Sequence, residues 1–378
     1  MKFPFNQPAI FKKNISYFKE VLNSYQLSGD YRFCREATRL LEKKLKSKKI
    51  LLTPSGTDSL EMAAILASIQ PGDEVIMPSY TFSSTANAFV LRGARIAFVD
   101  IRPDTMNIDE KKIEKAINKK TKAIVPVHYA GVACEMGYIM KLAKKYKLFV
   151  IEDAAQALFA YYQDKPLGTI GDYGCYSFHE TKNITSGEGG AISINNGSAE
   201  RAEIIREKGT NRAKFFRGEV DKYSWVDMGS SFLLSELCAA FLYAQLEMSE
   251  KIIKKRIKIW DCYYRNLSGL NKFIDLPGIP PECRHNGHIF YIKTKDIKTR
   301  GRLIKYLREN SVHSVFHYVP LHSSRAGKKF GYFCGQDQYT TKESERLLRL
   351  PLYYDLSINN VEEISGILKN FFIRDKKF

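Results

Sequence analysis

The sequence predicts an α/β protein with a mostly parallel central sheet and a smaller C-terminal α+β domain. Three observations carry this expectation. Between about residues 48 and 195, short apolar runs alternate with stretches of helical period. The apolar runs are near-continuous, as in strands covered on both faces, and do not alternate apolar with polar. Beyond about residue 250, strand and helix patterns mix without that regular succession.

The run 50–53 reads as the first strand, followed by a loop and a helical run over 58–66. Further strands are expected at 74–77, 97–100, 123–127 and 149–152, with a helix at 138–144 between the last two. Two strands then crowd together at 174–178 and 191–194. A helical stretch over 235–265 leads out of the sheet domain. The remainder holds a strand at 288–292 and a helix at 302–307. The division is placed at 1–249 for an N-terminal segment plus the large domain, and 250–378 for the small one. No internal repeat or low-complexity linker interrupts the chain.

Composition narrows the class. The 378 residues are 44% hydrophobic, ordinary for a globular chain with a sizeable core. The seven cysteines at 34, 134, 175, 238, 262, 283 and 334 form no Cys-x-x-Cys pair, so neither a zinc site nor a disulfide framework is expected. The start, Met1-Lys2-Phe3-Pro4-Phe5, lacks the apolar stretch of a signal peptide, and no run is long and apolar enough to span a bilayer. The chain reads as cytoplasmic, with no membrane insertion. The net charge of +18 invites a nucleic-acid reading. The lysines are instead spread over amphipathic stretches such as Glu110-Lys111-Lys112-Ile113-Glu114-Lys115, which fits solvated helix faces, and no nucleic-acid partner is expected.

Four features point to a site. Asp153 closes the run Leu148-Phe149-Val150-Ile151-Glu152, and Lys182 follows 29 residues later in Ser177-Phe178-His179-Glu180-Thr181-Lys182-Asn183. An acid at a strand end with such a lysine is what pyridoxal phosphate chemistry needs. The amine holds the cofactor aldehyde as a Schiff base, and the carboxylate keeps the pyridine nitrogen protonated. The small residues Thr185-Ser186-Gly187 and Gly189-Gly190 leave space for a ligand around Lys182. Ser55-Gly56-Thr57, at the start of the first helix, offers backbone N–H groups to a phosphate, and Ser177 can reach the same group. Gln156, in Asp153-Ala154-Ala155-Gln156, is placed for the cofactor's ring oxygen, and Phe82, just past a strand end, for stacking on the ring. Each feature has a plain structural alternative: a capped helix start, an N-cap aspartate, a surface lysine, a core aromatic. Their order and spacing favour the site.

These residues, together with Pro71-Gly72-Asp73-Glu74-Val75-Ile76-Met77-Pro78-Ser79-Tyr80-Thr81-Phe82 and Val125-Pro126-Val127-His128-Tyr129-Ala130-Gly131, resemble the DegT-type nucleotide-sugar aminotransferases. The match runs from residues 28–30 to about Tyr354. The resemblance implies the aspartate-aminotransferase fold (fold type I) and pyridoxal 5'-phosphate as cofactor. It also implies a nucleotide-linked keto sugar with L-glutamate as substrates, and a homodimer with shared active sites. It implies Lys182 as Schiff-base lysine and proton shuttle, and Asp153 as partner of the pyridinium nitrogen. Gln156 then lies beside the ring hydroxyl, Gly56, Thr57 and Ser177 at the phosphate, and Phe82 on the ring. The subgroup it most resembles acts at C4 of dTDP-4-keto-6-deoxyglucose.

One departure stands out. Many family members carry Gly-x-Asn-x-Arg where this chain has Gly229-Ser230-Ser231-Phe232-Leu233. Ser231 thus replaces the Asn that reaches the neighbouring subunit's cofactor phosphate. Arg206, Lys208, Arg212, Lys214, Arg217 and Lys222 are candidates for the substrate diphosphate, and His317-Tyr318-Val319-Pro320-Leu321-His322 for a second substrate loop. Competing readings are an aminotransferase working at another sugar carbon or giving the other C4 epimer, and a non-catalytic regulator of the same fold. A related dehydratase branch has His where Lys182 stands.

Overall fold

The computed structural model describes residues 1–375. Five strands form in the first half of the chain: β1 (Ile50–Thr53), β2 (Glu74–Pro78), β3 (Arg95–Val99), β4 (Thr121–Ile124) and β5 (Phe149–Asp153). The short β6 (Tyr161–Tyr162) and β7 (Lys165–Pro166) precede β8 (Tyr173–Ser177) and β9 (Gly190–Ile194). The C-terminal part adds β10 (Cys283–Arg284), β11 (Phe290–Lys293), β12 (Gly331–Phe333) and β13 (Leu347–Leu350). Eight of these make the central sheet, in the order β1-β9-β8-β5-β4-β2-β3-β12. Pairing is parallel from β12 through to β8 and antiparallel at β8/β9 and β9/β1.

The near-continuous apolar strands have a direct explanation. Along each strand, side chains alternate between faces. Leu52, Ile76, Ala97, Ile124 and Val150 face one buried cluster, while Leu51, Val75, Ile96, Ala123 and Ile151 face another. Helix Arg32–Leu45 covers the first face with a stripe of Ala37, Leu41 and Leu45, all fully buried. Each leucine there contributes about 2 kcal/mol by leaving water.

Expected and observed elements differ in places that have physical causes. The strand expected over 123–127 stops at Ile124, because Pro126 has no N–H for the ladder. The Pro126 carbonyl still accepts from the Asp153 N–H at 2.9 Å, and Val127 then bridges to Asp153. The helical stretch expected over 235–265 is two helices, Glu236–Glu247 and Ser249–Leu267, divided at Met248. A separate cluster around Trp260, Phe290, Leu303, Leu348 and Leu368 forms the core of the C-terminal part. We propose the division near residue 249 as the domain boundary, with two exchanges across it. Phe3 packs into the C-terminal cluster, and β12 joins the central sheet beside β3.

Glu152 pins the centre of the sheet. Its carboxylate is fully buried and accepts from the N–H groups of Gly168, Ile170 and Gly171 at 2.8, 2.7 and 2.6 Å. His128 Nε2 lies 2.9 Å from the same carboxylate. Glu152 thereby ties the loop between β7 and β8 beneath the strand end that carries Asp153. Glu152→Ala strips four partners at once, and is expected to cost about 3–5 kcal/mol of stability. Urea unfolding measures this; a loss below about 1 kcal/mol, the worth of one ordinary hydrogen bond, contradicts the role.

Candidate active site

A cavity of about 680 Å³ opens at the carboxyl ends of the central strands. The strand ends bring its walls together. Asp153 ends β5, Ser177 ends β8, Ser55-Gly56-Thr57 follow β1, and Thr81 and Phe82 follow β2. This edge is where open α/β sheets bind ligands. Seven of the residues singled out from sequence line this one cavity: Gly56, Thr57, Phe82, Asp153, Gln156, Ser177 and Lys182.

Asp153 is buried, and both carboxylate oxygens are held. Oδ1 accepts from the Ala155 N–H at 3.1 Å, and Oδ2 from the Thr85 hydroxyl at 2.7 Å. Thr85 spends its proton on Asp153, so Thr81 Oγ1, 2.8 Å away, is the donor to Thr85. The pair Thr81 and Thr85 was not anticipated. Thr85 lies in the first turn of helix Ser83–Val90, and Thr81 precedes that helix by two residues.

The opposite wall is a cradle for an anion. Ser55 caps helix Gly56–Leu66, its Oγ accepting from the Asp58 N–H at 3.0 Å. The N–H groups of the first turn have no partners within the helix. A Cβ at Gly56 would stand 2.8 Å from Ser177 Cβ, so only glycine lets this turn approach β8. Thr57 Oγ1 donates to Ser84 Oγ at 2.8 Å.

Lys182 lies in the connection between β8 and β9. Phe178 closes that connection, its N–H donating to Gly189 and its carbonyl accepting from Ser186, both at 2.8 Å. The Lys182 N–H donates to the His179 carbonyl at 2.9 Å, and Gly187 takes φ 81°, a conformation that suits glycine. Burial in the cavity wall lowers the Lys182 pKa to about 8; Asp153 opposes this shift, and Arg349 adds to it.

The remaining wall comes from the C-terminal part. Gln156 Oε1 accepts from the Ala130 N–H at 2.7 Å, while Nε2 donates to the Tyr318 hydroxyl at 3.0 Å. One N–H of the Gln156 amide is thus left over. Phe82, 58% exposed, stands at the mouth with its ring 6.2 Å from Tyr318. Of the expected loop His317–His322, His317 and Tyr318 line the cavity, and Tyr318 takes φ 50°. His322 instead meets Ser79 Oγ at 2.7 Å, a packing role. His288 stacks no ligand-binding signal in the sequence, yet it lines the cavity and meets Asn183 Oδ1 at 2.9 Å. Burial holds both His288 and His317 well below the usual imidazole range, with the Lys182 and Arg349 charges adding to it.

Ser231 lies apart from these residues. It is exposed and bridges to Glu207. The basic stretch near it is largely neutralised within the chain. Arg206 pairs with Asp30 at 2.6 Å, Arg212 with Glu207 at 3.6 Å, Lys214 with Glu200 at 2.6 Å and Arg217 with Glu203 at 2.8 Å. None of the six candidates for the diphosphate lines this chain's cavity.

Known proteins match along the whole length of the chain. The family model of the DegT/DnrJ/EryC1/StrS aminotransferase family matches residues 8–369. Spore coat polysaccharide biosynthesis protein SpsC of Bacillus subtilis is 31% identical, covering 96% of this chain and 95% of its own. The UDP-4-amino-4-deoxy-L-arabinose–oxoglutarate aminotransferase of Shewanella sediminis is 30% identical over 96% of each chain. Among solved structures, Helicobacter pylori PseC, an aminotransferase involved in the biosynthesis of pseudoaminic acid, superposes with a TM-score of 0.91. It is 26% identical and covers 98% of this chain and 99% of its own. The aspartate-aminotransferase fold that the resemblance implied is the fold observed. The chain belongs to the DegT/DnrJ/EryC1/StrS aminotransferase family and is a pyridoxal phosphate-dependent aminotransferase.

Proposed function

We propose that the enzyme transfers the amino group of L-glutamate to a nucleotide-linked keto sugar for polysaccharide synthesis. Its acceptor on this reading is C4 of dTDP-4-keto-6-deoxyglucose, and its product the galacto-configured 4-amino sugar. The observation that carries the reading is a lysine amine of lowered pKa sharing one cavity with a carboxylate held by Thr85 and Ala155. The relatives' names support the substrate class: one carries a UDP-sugar and oxoglutarate in its name, another a coat polysaccharide. The C4 position and the dTDP carrier rest on the likeness of the runs at 71–82, 125–131 and 177–183.

The residues present fit pyridoxal phosphate. Gly56, whose missing side chain opens the turn against Ser177, would cradle the phosphate with Thr57 and Ser177. Asp153 would pair with the pyridine nitrogen, its charge oriented by the Thr81–Thr85 relay. Gln156 has one N–H left for the ring oxygen, and Phe82 would cover the ring. When bound, the cofactor supplies an aldehyde that takes up an amino group and a ring that accepts the electron pair of a breaking C–H bond. Lys182 Nζ, once released, takes the proton from the donor Cα as general base. In the second half it delivers a proton to the sugar carbon, and the face it meets sets the configuration. An amine that loses its proton near pH 8 can serve both directions at neutral pH.

We further propose a homodimer. Phe216, Tyr223 and Trp225 are 68, 52 and 81% exposed in the stretch that also carries Ser231. Such a cluster needs a covering surface, and a second copy would bring Ser231 toward its partner's phosphate cradle. Lys208 and Lys222, both exposed, are then the cations left to meet the diphosphate. Light scattering should give two chains per particle; a monomer at micromolar concentration refutes this.

The rate of cofactor loading tests Lys182. Only the neutral amine attacks an aldehyde, so the rate should rise about tenfold per pH unit below pH 8 and level off above it. A rate still climbing to pH 10 indicates an ordinary lysine. Borohydride reduction and peptide mapping should place the cofactor on Lys182, and Lys182→Ala should abolish transamination.

Asp153→Asn keeps the size of the side chain but loses its charge. The variant should fold and turn over about a thousandfold more slowly, a loss of ~4 kcal/mol in the transition state. Near-normal turnover removes Asp153 from the mechanism. NMR of the product formed from glutamate with a panel of dTDP- and UDP-keto sugars decides the substrate. A C3 amine or a gluco-configured C4 amine would overturn the proposed acceptor and leave the aminotransferase standing.

A further inference from the structure

Arg349 is a charged group in the cavity wall that the mechanism above does not use. It is the third residue of β13, opposite Tyr291 of β11. Strand alternation directs its side chain. Leu348 and Leu350 face the C-terminal core, whereas Leu347, two residues before Arg349, joins the cluster of Tyr80, Tyr129 and Tyr291 beside the cavity. The backbone of Arg349 is fixed by exchange with Val315, at 2.8 Å for its N–H and 3.3 Å for its carbonyl.

The guanidinium is treated differently from its neighbours. Arg346 reaches Glu343 and Asp275, at 2.9 and 2.7 Å. Arg256, also in the cavity wall, donates to the carbonyls of Gly287, His288 and Leu352. Among the described residues, Arg349 has no carboxylate partner, and its enclosed Nε has no hydrogen-bond acceptor. Its fixed contact is the ring of Phe5, whose centroid lies 4.6 Å away. Phe5 belongs to an N-terminal strap. The strap is held by the Phe3 bridge to Val312 and by Asn6 Nδ2, which donates to the Glu180 carbonyl at 3.3 Å. Phe5 and Asn6 both line the cavity.

A half-buried guanidinium whose enclosed Nε has no acceptor is open to an anion entering the cavity, and its planar fork matches a carboxylate or a phosphate. Position decides between them. Arg349 lines the same cavity as Lys182, and its charge is felt at the Lys182 amine. The donor's α-carboxylate is bonded to the carbon whose proton Lys182 removes. The diphosphate of a nucleotide sugar is separated from its keto carbon by the hexose ring. We propose that Arg349, held under Phe5 of the N-terminal strap, binds a carboxylate of the amino donor. This rests on the aminotransferase reading above, and it assigns to β13 and the strap the choice of an amino acid as donor.

Glutarate, an unreactive dicarboxylate, is the probe. Calorimetry on the holoenzyme should show its affinity falling about ten- to a hundredfold in Arg349→Gln, the loss expected for charge-assisted hydrogen bonds. Arg349→Lys keeps the charge without the fork and should recover only part of it. Phe5→Ala should give a smaller loss in the same direction. In steady state, KM for glutamate should rise while KM for the nucleotide sugar stays within about twofold of wild type, a split that general misfolding does not produce. Unchanged glutarate affinity in Arg349→Gln overturns the assignment. So does a rise confined to the nucleotide-sugar KM, which would give the guanidinium to the diphosphate. A wild-type enzyme that aminates no keto sugar yet binds glutarate through Arg349 would remove the proposed acceptor and leave the carboxylate subsite in place.

Discussion

Two adjacent carboxylates at the end of one strand organise this molecule. Side chains of neighbouring strand residues point to opposite faces. Glu152 therefore turns inward and is saturated by three backbone N–H groups and His128, while Asp153 turns toward the cavity. The first makes the strand end immovable, and the second uses that rigidity. In the proposed role, facing a ring nitrogen, this carboxylate needs a fixed position more than a strong bond. Thr85 and the Ala155 N–H supply the last constraint, each holding one oxygen.

Most of the sheet was legible because both of its faces are buried. Apolar runs without alternation mark such strands, and all seven strands expected between residues 50 and 194 are present. The extra strand β12 was not legible. It has three residues, begins with Gly331, and joins the sheet from the far side of the chain. Of the two helices before residue 48, Arg32–Leu45 left a readable signal. Phe33, Ala37, Leu41 and Leu45 recur at helical spacing, but the strongly charged residues between them masked the stripe.

The site divides in the same way. Residues tied to local motifs were visible: Gly56 and Thr57 at a helix start, Asp153 at a strand end, Lys182 in a turn of small residues. Of the residues brought in from the other half of the chain, His317 and Tyr318 lay in an expected substrate loop, and the others were not visible. Arg256, His288 and Arg349 carry no local pattern, and only the packing of the C-terminal part against the strand ends makes them cavity wall. The basic stretch 206–222 shows the converse. It looked like an anion site in sequence, yet four of its six cations find carboxylates within the chain. Clustered charge in sequence says little until the partners are known.

A cation in the cavity wall also bears on the two-way proton transfer proposed for Lys182. In the proposed mechanism Lys182 is neutral to take a proton and charged to give one, whereas an ordinary lysine is charged at every physiological pH. Burial lowers its pKa, and Asp153 pushes it back up. Arg349 acts against Asp153 at the amine without touching the carboxylate's own hydrogen bonds. A guanidinium suits this task because it cannot itself give up its proton in the working range. On the proposed assignment, the entering donor carboxylate neutralises its charge. Donor binding on this account does two things at once: it fills the fork, and it screens the field at Lys182, raising the basicity of the amine as the donor's Cα–H arrives.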